Sequence, residues 1–215
     1  MSATGISVVT TTWNERENIK KLILNVRTVL KSKPHEIIVV DDNSSDGTAQ
    51  IAKRYADLVV TKKREGQTKG LLHGMRLAKY PIIITIDADM ENTPRCIPKM
   101  ARLTSKYHMV VASRNKLPRI SEKIASKTLG KLVGVNDFFS NYRAIRKEII
   151  PNFKLEGGET FGGEFQIIAK KEGLRIGELQ YTAPPRRKNP RIGSTTKANI
   201  RITWALIKSL KLYLT

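Results

Sequence analysis

Ile82-Ile83-Ile84-Thr85-Ile86-Asp87-Ala88-Asp89 is an apolar run that stops abruptly at two carboxylates two residues apart. Apolar residues without a polar alternation, closed by charge, read as a strand buried on both faces of a parallel sheet. The same arrangement occurs upstream, where Ile37-Ile38-Val39-Val40 ends at Asp41-Asp42 and continues through Asn43-Ser44-Ser45-Asp46-Gly47-Thr48. In open α/β sheets ligands gather outside the carboxyl ends of the strands, so both acidic clusters fall where a site is expected. In an extended segment residues i and i+2 project to the same side, which lets Asp87 and Asp89 converge on one hard divalent cation and leaves positions for phosphate oxygens. A lone Asp-x-Asp is more often a solvated strand end; the second acidic strand end reverses that reading.

Outward from this stretch the chain alternates. Residues Ile6 to Thr12 read as a buried strand, and Asn14-Glu15-Arg16-Glu17 offers an N-cap with a capping acid three residues on. Ile19, Leu22, Ile23, Val26, Val29 and Leu30 then keep helical spacing. The pattern predicts a strand over 36–41, a helix over 47–56, a strand over 57–61, a helix over 70–79, a strand over 81–87, a helix over 94–103 and a strand over 108–112. Such alternation predicts an α/β fold with a mainly parallel central sheet and helices on both faces.

Beyond residue 113 the rhythm changes. A basic loop from Arg114 to Arg119 leads to a predicted helix over 120–132, short strands near Phe138 to Ile145, a helix from Thr160 to Lys171 and a strand from Leu174 to Tyr181. Pro184-Pro185 opens a second basic loop. In the last segment, 197–214, Ile200, Trp204, Ile207, Leu210 and Leu214 share one face, with Arg201, Lys208 and Lys211 towards the other side. Such a helix either packs on the sheet or, with Trp204 and Tyr213 among lysines, lies in a membrane interface.

A chain of 215 residues suffices for one well-buried domain, here 1–196, followed by the amphipathic segment 197–215. The single cysteine, Cys96, rules out a disulfide framework; it reads as a small buried hydrophobe in a protein of the cytosol. Residues 1 to 12 lack the pattern of a signal peptide, and no window approaches the ~20 apolar residues that span a bilayer. Yet 39 basic residues stand against 19 acidic ones, a net charge of +20 that points to a polyanionic partner or surface. No acidic residue follows Glu178. Nucleic acid is not the expected partner, because aromatic residues are few and no recognition motif occurs.

The sequence also excludes several chemistries. Neither the dinucleotide fingerprint nor the P-loop is present, there is no G-x-S-x-G elbow, and His35, His73 and His108 are too scattered for a zinc site. What remains is two acidic strand ends, a cation site and many arginines. That set suits a reaction whose leaving group is a diphosphate, stabilised by a divalent metal and cationic side chains.

Three segments in order carry a family resemblance: Thr11-Thr12-Trp13-Asn14-Glu15-Arg16-Glu17-Asn18, Val39-Val40-Asp41-Asp42-Asn43-Ser44-Ser45-Asp46-Gly47-Thr48, and Asp87-Ala88-Asp89-Met90-Glu91-Asn92-Thr93-Pro94. The chain resembles the family 2 glycosyltransferases of GT-A fold, and within them the dolichyl-phosphate mannose synthases and related polyprenyl-phosphate sugar transferases. The resemblance implies that Thr11, Trp13 and Glu15 contact the nucleotide and that Asp41 and Asp42 hold base and ribose. Asp87 and Asp89, spaced by Ala88, fall on the metal-binding pair for Mg²⁺ or Mn²⁺, with Glu91 as a third contact that is commonly Gln. Arg114 matches an arginine near the phosphates. Asp137-Phe138-Phe139-Ser140-Asn141-Tyr142-Arg143-Ala144 resembles the segment lining the acceptor side, Glu164 a helix acid near the sugar, and Arg191-Ile192-Gly193-Ser194-Thr195-Thr196-Lys197 the basic loop that closes over the donor. Thr11 stands where Pro is usual, Trp13 where Tyr is usual and Asn141 where Gly is usual. Glu122 falls where an arginine for the lipid phosphate is common, and Arg119, about one turn earlier, is its substitute.

The function this implies is inverting transfer of mannose or glucose from GDP-mannose or UDP-glucose to a polyprenyl (dolichyl) phosphate. Asp89 and Arg114 are the expected catalytic groups, with Asp137 as base or orienter, and Arg114, Arg119 and Ser140 the groups for the acceptor phosphate. A hydroxyl acceptor needs a positioned base, whereas a phosphomonoester, with a second pKa of about 6, is already anionic at neutral pH. Attachment is expected to be peripheral, at the cytosolic face of an anionic membrane, through 197–214 and the loop at 186–191.

Overall fold

Because successive side chains alternate across a strand, each apolar run serves two cores at once. The computed structural model describes residues 4–156, 158–184 and 195–214. Its strands are β1 (Ile6–Thr12), β2 (His35–Asp41), β3 (Leu58–Thr61), β4 (Ile82–Thr85), β5 (Met109–Arg114), β6 (Arg143–Arg146) and β7 (Ile176–Tyr181), in the order β3-β2-β1-β4-β6-β5-β7. The pairs β1–β2, β2–β3, β1–β4 and β5–β7 are parallel, and β6 alone runs antiparallel between β4 and β5.

On one face Val8, Ile37, Val39, Ile84 and Val110 meet α1 (Ile19–Leu30) and α4 (Ile97–Leu103). On the other, Val9, Ile38, Val40, Ile83 and Val111 meet α3 (Gln67–Leu77) and α7 (Gly163–Lys171). Each of these Ile and Val side chains contributes roughly 1.5–3 kcal/mol when removed from water, which is why the strands carry no polar alternation. A short α2 (Thr48–Lys53) connects β2 to β3. After β5, α5 (Ile120–Ala125), a π-helical stretch (Ser126–Gly130) and α6 (Lys131–Val133) form one rod. The last helix, α8 (Thr195–Leu214), buries Ala198, Ile202, Ala205 and Ser209 and packs beside α5 and α7.

The mainly parallel, doubly covered sheet is the one expected, but four local readings change. Asn14 does not cap α1: its side chain accepts from Ser45 N at 3.0 Å, and the helix begins only at Ile19. The predicted strands at 138–145 reduce to β6. α3 starts at Gln67, three residues early, because Glu159, 91 residues away from Thr68, caps it through Thr68 N at 3.3 Å and Thr68 Oγ1 at 2.6 Å. Gly66 precedes it at φ +95°, where a Cβ would also lie 2.5 Å from Glu159 Oε2. Finally, β4 ends at Thr85 rather than at 87. Ile86 N still bonds to Val9 O at 3.1 Å, but Ala88 and Asp89 form a turn and Met90 has φ +65°.

Candidate active site

The parallel strands end at one edge of the sheet, and antiparallel β6 begins there. Register pairs Thr12 with Asp41, Thr85 with Arg143, and Arg114 with Tyr181. Trp13, Asp41, Asp42, Asp87, Arg143 and Arg114 therefore collect along that edge, the crevice in which doubly wound sheets bind ligands.

At one end stands Trp13, 39 % exposed, with the Arg64 guanidinium 3.6 Å from its ring centroid. Thr11, near the end of β1, is half-buried. Asp42 is buried and paired with Lys62, Nζ to Oδ1 at 2.6 Å. Asp41 is fully buried, and both its oxygens hold the strand end together: Oδ1 accepts from Thr12 Oγ1 at 2.8 Å and Ser44 Oγ at 2.6 Å, and Oδ2 accepts from Ser44 N at 2.8 Å. Glu15 is buried as well, its backbone N donating to Thr48 Oγ1 at 2.8 Å and its carboxylate accepting from Asn18 Nδ2 at 2.8 Å. Asp41 and Glu15 thus shape the loops that present Trp13 and Asp42.

In the centre, Asp87 accepts from Gln67 Nε2 at 2.5 Å and from Asn92 Nδ2 at 3.3 Å. Burial, reinforced by the charge of Asp89 and opposed by that of Arg143, pushes the Asp87 carboxyl up to about 7. Asp89 is exposed and accepts from Glu91 N at 2.9 Å; Ala88 between the two acids is buried. Among the described residues no three His, Cys, Asp or Glu side chains gather as a metal-binding group. Asp87, Asp89 and Glu91 therefore do not stand together as a three-carboxylate cage. The physical reason is the turn: once the chain leaves β4 at Thr85, the i, i+2, i+4 alternation of a strand no longer applies.

Arg143 lies behind this pair, fully buried in the sheet. Its Nη1 donates to Asn141 Oδ1 at 3.1 Å and its Nη2 to Gly162 O at 2.9 Å, while the guanidinium sits 5.6 Å from the Phe165 ring centroid. Its buried Nε has no hydrogen-bond partner among the described residues. Burial pulls its pKa down to about 10, against the opposing charges of Asp87 and Asp137.

At the other end Arg114 forks onto Asp137, Nε to Oδ2 at 2.6 Å and Nη2 to Oδ1 at 3.1 Å. Burial alone would lower the Arg114 pKa, but the bond and charge of Asp137, with Glu122 behind, carry it above the ordinary guanidinium value. Glu122 Oε1 lies 3.6 Å from Arg114 Nη2 and 2.6 Å from Arg119 Nη1, so two arginines and two acids form one half-buried chain of charge. Arg119 is 7 % exposed and turned inward onto Glu122. Ser140 donates to Ala112 O at 2.7 Å and accepts from Tyr142 N at 3.3 Å, so it pins the turn before β6. Glu164 is buried on the first turn of α7 and accepts from Glu156 N at 2.6 Å. Arg191 and the side chain of Lys197 lie outside the described residues.

Residues 7–168 match the model of the family described as glycosyl transferase family 2. The chain belongs to glycosyl transferase family 2. It is similar to the undecaprenyl-phosphate 4-deoxy-4-formamido-L-arabinose transferase of Pectobacterium carotovorum, 30% identical over 163 residues that cover 68% of this chain and 50% of that protein. It is also similar to the dolichol-phosphate mannosyltransferase of Pyrococcus furiosus, 28% identical over 197 residues, 82% of this chain and 56% of that one. The chain spans about half the length of the curated relatives it matches. Its backbone matches the glucosyl-3-phosphoglycerate synthase of Mycobacterium tuberculosis, crystallised with Mn²⁺, uridine diphosphate and glucosyl-3-phosphoglycerate, at a TM-score of 0.76 and 18% identity, over 96% of this chain and 80% of that one. The fold is GT-A, as the sequence motifs implied.

Within this family 2 chain the donor set at the edge fits a hard divalent ion. Asp87 and Asp89 are two oxygen donors; burial of Asp87, reinforced by the charge of Asp89, holds a proton there near neutral pH, and a bound cation would compensate both effects. Half-buried Asp87 is already oriented by Gln67 and Asn92, the outer hydrogen bonds that fix a metal-binding carboxylate. Gln67, Arg64 and Lys62 lie outside the quoted motifs, and Asn92, inside one, has no role assigned there. Arg143 stood inside a quoted motif, and its place opposite Thr85 on β6 is what brings it to the acids.

Proposed function

We propose that this chain is a metal-dependent inverting glycosyltransferase that moves mannose or glucose from a GDP- or UDP-sugar to a polyprenyl phosphate at the cytosolic face of a membrane. Residues 1–196 form the transferase domain and 197–215 an appended surface helix. The names of the relatives favour a polyprenyl-phosphate acceptor, and the shared fold of a Mn²⁺- and nucleotide-bound synthase favours the donor class.

The observation that carries the reading is the occupancy of Asp137. Both of its oxygens engage Arg114, and it is 1 % exposed. A carboxylate so committed is an orienter of Arg114, not a base reaching for a sugar hydroxyl. An acceptor that needs no base suits such a site, and a phosphomonoester is already anionic. One of its oxygens forms the new bond to the anomeric carbon from the face opposite the donor. The bond from that carbon to the diphosphate breaks, its electron pair leaves with the nucleoside diphosphate, and the anomeric centre inverts without any proton transfer.

Each region of the edge then has a task. Trp13 provides a stacking surface for the base, and Asp42 with Lys62 lies beside it. Asp87 and Asp89 hold Mg²⁺ or Mn²⁺, which supplies positive charge to the diphosphate. Arg114, kept cationic and aimed by Asp137, attracts phosphate. Arg119 acts through Glu122, from behind Arg114.

The test offers the purified protein two acceptors with the same isoprenoid chain, one a polyprenyl phosphate and one the free polyprenol, with labelled nucleotide sugar and Mn²⁺. Label should appear in the phosphate alone. Glycosylation of the polyprenol at a comparable rate would remove the phosphate from the proposal.

A further inference from the structure

The Asp87 carboxylate is held from two sides by amides: Oδ1 accepts from Gln67 Nε2 at 2.5 Å and Oδ2 from Asn92 Nδ2 at 3.3 Å. The second amide has a partner of its own. Asn92 is buried, and its Oδ1 accepts from the hydroxyl of Tyr181, the last residue of β7, which is buried as well. A chain of side-chain hydrogen bonds therefore runs from the end of β7 through Asn92 to the acid beyond β4.

Donor and acceptor roles along this chain are fixed by elimination. As a carboxylate, the form that takes a metal ion, Asp87 only accepts hydrogen bonds, so the Asn92 amide must turn its NH₂ towards it. The amide oxygen then faces the phenol, which has a proton to give. Without that hydroxyl, either the buried amide oxygen loses its partner or the amide turns over and sets oxygen against oxygen at Asp87; both are unfavourable. The phenol thus decides which end of Asn92 meets the acid. Ring packing needs no such bond. Tyr142, just before β6, stands edge-on to Tyr181 with centroids 5.9 Å apart, and its own hydroxyl donates to Thr93 O at 2.9 Å. Two phenols from either side of β5 therefore hold consecutive residues of the segment that follows the two acids.

We propose that Tyr181 is a positioning residue for the donor metal: acting through Asn92, its hydroxyl orients the Asp87 carboxylate for the divalent ion shared with Asp89. This deepens the proposed function and rests on its reading of Asp87 and Asp89 as the metal-binding pair. Tyr181 acts on the carboxylate and not on the reacting atoms. Its place in the sheet also joins the two ends of the site, because the β5–β7 register sets Tyr181 beside Arg114. One strand pair thus carries both the arginine assigned to phosphate and the phenol that aims the metal-binding acid.

The experiment titrates Mn²⁺ alone into the full chain and follows binding by water proton relaxation. The variants are Tyr181→Phe, which keeps the ring and removes the hydroxyl, Asn92→Ala, the two combined, and Asp89→Ala; circular dichroism and melting confirm that each folds. Asn92→Ala should weaken Mn²⁺ binding about tenfold or more, as loss of a hydrogen bond behind a metal ligand does. Tyr181→Phe should weaken it about three- to tenfold, the scale of one buried hydrogen bond. Because the phenol works through the amide, the combined variant should bind no more weakly than Asn92→Ala alone. Wild-type affinity in Tyr181→Phe or in Asn92→Ala would overturn the inference, and so would losses that multiply in the combined variant, since Tyr181 would then act by another route. Asp89→Ala separates this inference from the reading beneath it. If Asp89→Ala loses Mn²⁺ while Tyr181→Phe binds as wild type does, the role of Tyr181 fails and the metal site stands. If wild type binds no Mn²⁺, or Asp89→Ala binds it unchanged, the metal site itself fails and takes the role of Tyr181 with it.

Discussion

Arg114 and Asp137 are joined by two parallel hydrogen bonds, 2.6 Å from Nε to Oδ2 and 3.1 Å from Nη2 to Oδ1. Asp137 approaches from the turn before β6 and Arg114 from the last residue of β5, so the pair ties two strand ends at the site edge. Replacing Asp137 by Ala leaves a half-buried guanidinium without its main counter-charge, and is expected to cost about 3–5 kcal/mol in stability, measured by urea unfolding. The milder Asp137→Asn separates orienter from base. If Asp137 only orients Arg114, the rate falls but the acid limb of the pH–rate profile stays in place; if Asp137 is the base, that limb disappears.

The Asp87–Asp89 pair sets a pH dependence of stability. Asp87 is near its ordinary value of 3.8 when unfolded and at about 7 when folded. The folded chain thus binds the proton more tightly, and the stability this contributes is full below the unfolded value and lost as pH rises through about 7. Melting temperature in EDTA should decline across that window. Asp87→Asn should flatten the decline, and Mn²⁺ should oppose it, because the ion displaces the proton.

Arg143 acts on the same equilibrium from inside the sheet. Its positive charge lowers the Asp87 pKa, so Arg143→Met should shift that pKa further up and move the pH midpoint of Mn²⁺ binding in the same direction. Isothermal titration at several pH values measures the shift. An unchanged midpoint in a folded variant would show that Arg143 serves packing alone.

Trp13 and Arg64 form the stacking end of the crevice. Base stacking on an aromatic side chain is worth about 1–3 kcal/mol by alanine substitution, so Trp13→Ala should weaken nucleotide-sugar binding roughly five- to hundredfold. In a Trp204→Phe background, Trp13 is the remaining tryptophan. Its fluorescence should then change on adding GDP or UDP, and the nucleotide giving the tighter titration identifies the donor base.

The strands were legible because each is buried on both faces: Ile37–Val40 and Ile82–Ile84 can do little else in water. The position of Asp41 at a strand end follows from the same reasoning, whereas Arg114, read as the start of a basic loop, is the last residue of β5 and Asp87 lies two residues beyond β4. What sequence could not display is pairing across distance. Asp41, expected at the nucleotide, accepts hydrogen bonds from Thr12 and Ser44. Arg119, expected at the acceptor phosphate, faces Glu122 three residues on, a pairing that residue type alone does not display. Glu159 gave no local hint that it caps α3. The Asp87–Asp89 spacing suggests strand alternation, yet both acids lie past the end of β4 at Thr85, where the chain runs into the turn at Ala88 and Asp89.

Sugar transfer itself provides the most direct measurement. Wild-type and Asp89→Ala proteins are incubated with ¹³C-labelled nucleotide sugar and polyprenyl phosphate, with Mn²⁺ or EDTA, and the product is read by NMR at the anomeric carbon. The expected result is a sugar phosphate of inverted configuration, formed by wild type with Mn²⁺ and reduced at least about a hundredfold by EDTA or by Asp89→Ala. A product of retained configuration, or equal turnover without metal or without the Asp89 carboxylate, would contradict it.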